Sequence, residues 1–278
     1  MYQKLIPMLH NLRIALIGAG AMGESVIGGL IRQELVSPDQ IMATAPREER
    51  RHELQERYGI QVTSDNLMAA RWGQVVIFAV KPQTLPRLLP SLRGSLYDNE
   101  LVISIIAGVP MRQFTESLNH SAVVRAMPNT PAQIAAGMTV WTAAPDVTED
   151  QRGWAAMVLG ALGHELYVDN EHYLDMATAI NGTGPAYFFM VMEAMVDAGV
   201  HLGLSRRIAE ELVLQTMQGA VRYAIQSGQH PAQLRNAVTS PGGTSAAALS
   251  ELERGGLRTV LSDAIWAAYR RSVELGKQ

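Results

Sequence analysis

An α/β domain followed by an all-α domain is the fold class that this sequence predicts, on three observations. From Leu12 to about Asn170, short apolar runs bounded by turn residues alternate with helical patterns. Beyond Asn170 the strand-like runs stop, and long patterns rich in Ala, Met and Leu continue to the C-terminus. A glycine cluster, GAGAMG, stands between the first apolar run and the first helical pattern. Alternation of this kind implies parallel strands joined by crossover helices. The expected division is therefore 1–170 and 171–278, and a length of 278 residues suits two domains.

The first strand is RIALI, ending at Ile17, and the helix behind it runs to about Glu34. QIMATA, residues 40–45, is the second strand, followed by a charged helix through Arg57. GIQVT (59–63), VVIFAV (75–80), LVISII (101–106), AVVRAM (122–127) and MTVWTA (138–143) are further candidates. Each is an apolar run of strand length, as buried parallel strands require. HELYVD, residues 164–169, is the last. In the second half, PAYFFMVMEAMVDAGVHLG is apolar on nearly every face for its first two turns, and such a helix must be covered all round. The other helical residues can cover it only in part, so the all-α C-terminal domain is expected to dimerise. The sequence shows no internal repeat, low-complexity tract or long heptad run.

A formal net charge of -3, from 26 acidic and 23 basic residues spread along the chain, leaves no broad basic face for a phosphate backbone. Nucleic acid is not an expected partner. Cysteine is absent, which excludes disulfides, thiolate zinc sites and cysteine nucleophiles and is compatible with a reducing cytoplasm. The opening MYQKLIPMLHNLRIALIGAG lacks the basic, apolar and small-residue succession of a secretory signal. The longest uncharged apolar stretch, residues 179–192, is too short to cross a bilayer and contains Gly and Pro, so a soluble protein is expected.

GAGAMG places Gly18, Gly20 and Gly23 in the G-x-G-x-x-G pattern, after a strand and at the opening of a helix. The first glycine permits a tight turn, the second lets backbone approach a pyrophosphate, and the third packs helix on strand. The helix N-terminus offers free N–H groups to the anion. This predicts a Rossmann-type dinucleotide-binding domain. The acid that usually holds the adenine ribose at the end of the second strand is missing, and the sequence there reads TAPREERR. Arg47 is the best-placed arginine for a 2'-phosphate, which favours NADP(H) and leaves NAD(H) possible. A solvated helix start, beside Glu48 and Glu49, is the alternative for Arg47. Lys81, the only lysine between Lys4 and Lys277, sits in AVKP at a strand end where ligands of open sheets bind. Either its side chain or only the backbone of Val80 to Pro82 faces the cofactor. The seven histidines, at 10, 52, 120, 164, 172, 201 and 230, have no metal-ligand spacing, and no metal is expected.

GAGAMG, AVKP, RAMPNTP (125–131), NGTGPAY (181–187) and SPGGTS (240–245), in that order and along essentially the whole chain, resemble pyrroline-5-carboxylate reductase. The resemblance implies NAD(P)H-dependent reduction of 1-pyrroline-5-carboxylate to L-proline, the last step of proline biosynthesis. It implies a dimer or an assembly of dimers, with the active site between the nucleotide domain and the helical domains. Carried over position by position, the cofactor contacts fall on Ile17, Gly18, Ala19, Gly20, Ala21 and Met22, on Asn66, and on Ala79, Val80, Lys81 and Pro82. Ala107 and Glu171 complete them. The chain departs from the family pattern at Asn181 and Thr183, where Ser is common, and at Ser245, where Thr is frequent. It also has Ala237 where some relatives carry Asn, which removes one polar substrate contact.

For a small imino acid, SPGGTS has a use. Gly242 and Gly243 lack a Cβ, so backbone N–H groups can approach the substrate carboxylate. Hydrogen bonds to a charged group, at about 1.5–3 kcal/mol each, outweigh a helix dipole of about 0.3–2 kcal/mol. Ser245 is then the expected catalytic contact to the ring nitrogen, with Ser240 or Thr244 touching the carboxylate or capping the helix. An ordinary N-cap is the alternative for the whole stretch. A protonated imine is already electrophilic, so the reaction needs positioning and water exclusion more than a strong acid or base. Arg125 and Asn129 are expected to shape the pocket, and Tyr187 to pack. Two rivals remain: another imine or hydroxyacid reductase of similar architecture, and a non-catalytic nucleotide- or pyridoxal-phosphate-binding regulatory protein. Against the first, the stretch 186–203 offers no Lys and only His201 as proton donor.

Overall fold

The computed structural model describes Leu9 and residues 12–276. Lys4, His10, Lys277 and half of the stretch weighed as a secretory signal lie outside the described residues. Eight strands form one sheet: β1 (Ile14–Ile17), β2 (Ile41–Thr44), β3 (Gln61–Thr63), β4 (Val75–Phe78), β5 (Leu101–Ser104), β6 (Val123–Met127), β7 (Gly137–Ala143) and β8 (Gly163–Tyr167). They lie in the order β3-β2-β1-β4-β5-β6-β7-β8. The first six follow the order of the doubly wound dinucleotide fold, whose strand order reverses between β1 and β4. Between the strands run α1 (Ala21–Arg32), α2 (Glu48–Tyr58), α3 (Asn66–Trp72), α4 (Leu85–Ser91), α5 (Met111–Leu118) and α6 (Glu149–Gly160).

Because side chains alternate along a strand, the apolar runs feed two cores. Ile14 and Leu16 of β1 join Val75 and Ile77 of β4 in one cluster. Ala15 and Ile17 join Val76 and Phe78 in the other. Both faces of the central strands are thus buried, which is why their runs carry no polar alternation, whereas the edge strands β3 and β8 are partly exposed.

All pairings are parallel except that between β6 and β7. The sequence expectation of parallel strands fails there for a physical reason. A parallel return needs a crossover of about a dozen residues or more, whereas the link 128–136 holds only a 3-10 turn, Thr130–Ile134.

At the N-terminal edge of the sheet, just before β5, Glu100 is 4% exposed. Burial pushes its carboxyl up to about 7, against the pull of the Tyr97 N–H. His120, whose Nε2 lies 2.9 Å from the Glu100 carbonyl, is shifted down by burial.

The chain divides into two compact units at Thr183, with the residues from Ala268 onward belonging to the first. The sequence boundary near 170 marks where strands end. Residues 171–183 stay with the sheet because α7 (His172–Ala177) and a π-helical turn, Thr178–Gly182, are bonded to β6 and β7. The second unit comprises α8 (Gly184–His201), α9 (Arg206–Ser227), α10 (Pro231–Ala237), α11 (Thr244–Arg254) and most of α12 (Leu257–Leu275). Its own core is Val196, Ala209 and Val213, with Met192, Val200 and Met217 packed against them. Among the described residues, no helix is long and apolar enough to cross a membrane.

Candidate functional site

Where β1 and β4 diverge, the glycine turn is built by close approach. Gly18 has φ +95°, and a Cβ there would stand 2.5 Å from Val80 Cγ1. A Cβ on Gly23 would stand 2.7 Å from both the Gly18 carbonyl and Leu16 Cδ2, which locks α1 to its strand. Gly20 is the N-cap of α1 and has no side-chain cap, so the first N–H groups of the helix face an open cleft. Thr44, paired with Ile17 in the β1–β2 register, holds the turn twice. Its Oγ1 accepts from the Gly18 N–H at 3.0 Å, and its carbonyl accepts from the Ala19 N–H at 2.8 Å. Sequence reasoning saw at Thr44 only a missing acid. The legible signal was a hydroxyl at the strand end that faces the turn.

The cleft measures ≈ 780 Å³ and takes in Gly18, Ala19, Gly20 and Ala21 from the turn. It also takes in Arg47, Asn66 and Ala79 to Lys81. Asp65 caps α3 by accepting from the N–H groups of Leu67 and Met68, at 2.9 and 3.1 Å. That leaves the neighbouring Asn66 amide for a ligand. Lys81 is exposed, and its side chain makes no hydrogen bond or ion pair among the described residues, while its carbonyl accepts from the Thr84 N–H at 2.9 Å. Ile17, Met22, Pro82, Ala107 and Glu171 do not line the cleft. Ile17 is buried in the sheet, Met22 packs on the core, and Pro82 opens a 3-10 turn. Ala107 lies beyond the end of β5. Glu171 Oε1 accepts from the Met111 N–H at 2.7 Å and from Arg125 Nη1 at 3.0 Å.

The arginines around α2 have separate employments. Arg51 Nη1 donates to the carbonyls of Ala45 (2.8 Å) and Pro46 (3.0 Å). Arg50 donates from Nε to the Ala19 carbonyl (3.1 Å), from Nη1 to Glu53 (3.1 Å), and from Nη2 to Glu24. Glu24 also accepts from Arg57 (2.8 Å) and from the Tyr58 hydroxyl (3.0 Å). Burial alone would raise the Glu24 carboxyl. The bonds from Arg50 and Tyr58 and the charges of Arg50 and Arg57 overcome it and hold the carboxyl below its ordinary value. Of these, only the Arg47 side chain, exposed at the N-cap of α2, has no partner among the described residues.

Arg125 is a clamp. Its side chain is 5% exposed and bonded to Glu171 and to Asp175 (2.9 Å), and Asp175 in turn accepts from Ser272 Oγ of α12 at 3.1 Å. Asn129 Nδ2 donates to the Asn181 carbonyl (3.1 Å), and its Oδ1 accepts from the Met138 N–H (2.9 Å). Asn181 Nδ2 returns bonds to the carbonyls of Met127 (3.2 Å) and Met138 (3.0 Å). Asn181 stands out in the sequence only as a departure from the family pattern; its amide fastens the π-helical turn to β6 and β7.

In the second unit, SPGGTS forms the turn into α11. Gly242 has φ +72° with open space where a Cβ would stand. The Gly243 N–H donates to the Ser240 carbonyl at 3.1 Å, and a Cβ on Gly243 would stand 2.5 Å from Ser240 Oγ. Gly243 is the N-cap and α11 has no side-chain cap. The ordinary-cap reading of Ser240 and Thr244 is therefore not what the chain adopts. Among the described residues the hydroxyls of Ser240, Thr244 and Ser245 have no hydrogen-bond partner, and Ser245 is half-buried. The turn can present free N–H groups and three hydroxyls to a small anion.

A family model described as pyrroline-5-carboxylate reductase dimerisation matches residues 171–275. One described as NADP oxidoreductase, coenzyme F420-dependent, matches residues 13–108. The pyrroline-5-carboxylate reductase of a Synechocystis strain is 41% identical over 96% of this chain and 100% of its own length. That of Pseudomonas aeruginosa is 42% identical over 96% of this chain and 97% of its own. Among solved structures, the Coxiella burnetii pyrroline-5-carboxylate reductase has a TM-score of 0.89 at 36% identity, covering 97% of this chain and 100% of that one. The Plasmodium falciparum pyrroline carboxylate reductase with NADP bound has a TM-score of 0.88 at 28% identity, covering 96% and 99%.

Proposed function

The chain belongs to the pyrroline-5-carboxylate reductase family, and from that premise we propose that it reduces 1-pyrroline-5-carboxylate to L-proline with NADPH. The observation that carries this reading is a pair of uncapped helix starts, α1 behind GAGAMG and α11 behind SPGGTS. Each offers backbone N–H groups to an anion. The first suits a pyrophosphate and the second a carboxylate. A cleft of ≈ 780 Å³ beside α1 falls in the usual range for a cofactor site, about 300–1,000 Å³.

Bound NADPH supplies the hydride that reduces the C=N bond. The chain's residues do the holding. N–H groups of Gly20 to Met22 receive the pyrophosphate, with Gly18, Ala19 and Ala79 to Lys81 as the walls around it. Arg47, the unpaired arginine at the adenosine end, receives the 2'-phosphate, and Asn66 an adjacent hydroxyl. Ala107 and Glu171 border the nicotinamide end. Gly242, Gly243 and Thr244 hold the substrate carboxylate with Ser240, and the Ser245 hydroxyl bonds the ring nitrogen, keeping the imine carbon in position for transfer. Residues 171–278 serve dimerisation and substrate binding. The working form is a homodimer or an assembly of dimers in the cytoplasm, performing the last step of proline biosynthesis.

The test is the loss of reduced-nicotinamide absorbance on adding pyrroline-5-carboxylate, run with NADPH and NADH in parallel. Oxidation with NADPH is expected, and its absence in folded, NADPH-binding protein overturns the reading. Arg47→Leu should raise KM for NADPH about tenfold, as loss of a charge-assisted phosphate contact does, and leave KM for NADH nearly unchanged. A twentyfold preference of the unmodified protein for NADH would remove Arg47 from this role.

A further inference from the structure

Arg47 is not the only arginine at the adenosine end of the cleft. Arg50, one helical turn later on α2, lines the same cleft, as do Glu24 and Glu53. The Arg50 guanidinium is spread over three acceptors: the Ala19 carbonyl in the glycine turn, Glu53, and Glu24 of α1. Side chains of Arg50 and Glu24 are each 19% exposed, so their attraction is less screened than that of a surface pair. Glu24 and Glu53 are balanced by Arg50 and Arg57, and the cluster is neutral.

That balance has a consequence for the ligand. A carboxylate left bare beside the ribose accepts a hydroxyl well, which is how acids select the unphosphorylated dinucleotide. The same carboxylate repels a 2'-phosphate. Arg50 is what keeps Glu24 from acting in this way, and Glu24 is what keeps Arg50 from giving its full charge to a phosphate. We propose that Glu24 and Arg50 form an opposed pair that sets the preference of the cleft for a 2'-phosphorylated dinucleotide, Arg50 raising it and Glu24 lowering it. The inference rests on the NADPH reading above and adds two specificity-determining residues to it.

The test is direct binding, without turnover, of 2',5'-ADP and 5'-AMP by titration calorimetry on the full-length protein. These probes differ only in the 2'-phosphate. Arg50→Met should weaken 2',5'-ADP about tenfold or more, the scale on which a lost charge-assisted contact combined with an exposed like charge acts. It should change 5'-AMP less than about twofold. Glu24→Gln should act in the opposite direction, tightening 2',5'-ADP about threefold or more by releasing the Arg50 charge. Equal weakening of both probes by Arg50→Met would mean that Arg50 only props the glycine turn, and would overturn the proposal. So would a Glu24→Gln variant that folds and leaves the 2',5'-ADP to 5'-AMP ratio unchanged. If Glu24→Gln does not fold, the Arg50→Met ratio alone decides. A wild-type protein binding both probes equally sinks the NADPH reading and this inference with it. A wild-type preference that falls in Arg47→Leu but not in Arg50→Met sinks only the inference.

Discussion

The two units of this chain solve the problem of burial in opposite ways. The sheet unit buries both faces of its strands in two clusters, with side chains such as Phe78, Phe114 and Ile77 fully enclosed. The helical unit encloses three hydrophobic side chains. It leaves Phe188, Phe189 and Met190 at 58, 60 and 71% exposure, and Trp266 at 57%. An apolar surface of that extent is a mark of association, and the dimerisation model matched on 171–275 agrees. One unit completes its core from its own residues; the other leaves apolar side chains uncovered.

The sharpest way to break that comparison is Phe189→Asp. A charge on the uncovered helix face should abolish self-association altogether, read by sedimentation velocity, while leaving near-UV signals of the sheet unit intact. A variant that still assembles would mean the face is covered from within the chain. Next in size is Ser245→Ala, which should lower kcat about a hundredfold if the hydroxyl holds the reacting nitrogen. Because no cap is lost, its melting temperature should stay unchanged, and a fall in stability with intact turnover would restore the capping reading. In the sheet unit the expected effects are on stability instead. Between pH 4.5 and about 7 the buried Glu100 keeps a proton that the unfolded chain has released, so stability falls as pH rises through that window. Glu100→Gln should therefore gain little below pH 4.5 and about 2–3 kcal/mol above pH 7, by urea unfolding. His120 runs the other way, being neutral in the fold and costing stability as pH drops below 6.5. Smallest is Thr44→Val, which orphans the Gly18 N–H and should cost about 1–2 kcal/mol, with a matching loss of NADPH affinity by titration.

Much of this was legible from composition and period. All eight strands stand where runs of strand length predicted them, from Ile14–Ile17 to Gly163–Tyr167; β1, β2, β4 and β5 are buried throughout and therefore almost wholly apolar, whereas β3 and β8 are partly exposed and carry polar residues. Direction was not legible, since an apolar run reads the same both ways, and only the length of the 128–136 link shows that β7 must turn back. The anion cradles were visible because glycine spacing is local. The Asn129–Asn181 fastening and the Glu24–Arg50 pair were not, because they join residues far apart in sequence whose local context marks neither. The helical unit was read correctly as needing cover for a related reason: an all-round apolar helix states a deficit that does not depend on its neighbours.

The double hold of Thr44 on the glycine turn bears on any attempt to redesign cofactor choice. Thr44 is 2% exposed, and both its hydroxyl and its carbonyl are committed to the turn. An acid installed at that strand end, the customary route to an NADH enzyme, would bury a charge and loosen the loop it was meant to serve. In this chain the cradle takes its shape from its neighbouring strand before any nucleotide arrives. Retailoring therefore has to begin one residue later, at Ala45, or across the cleft on α2.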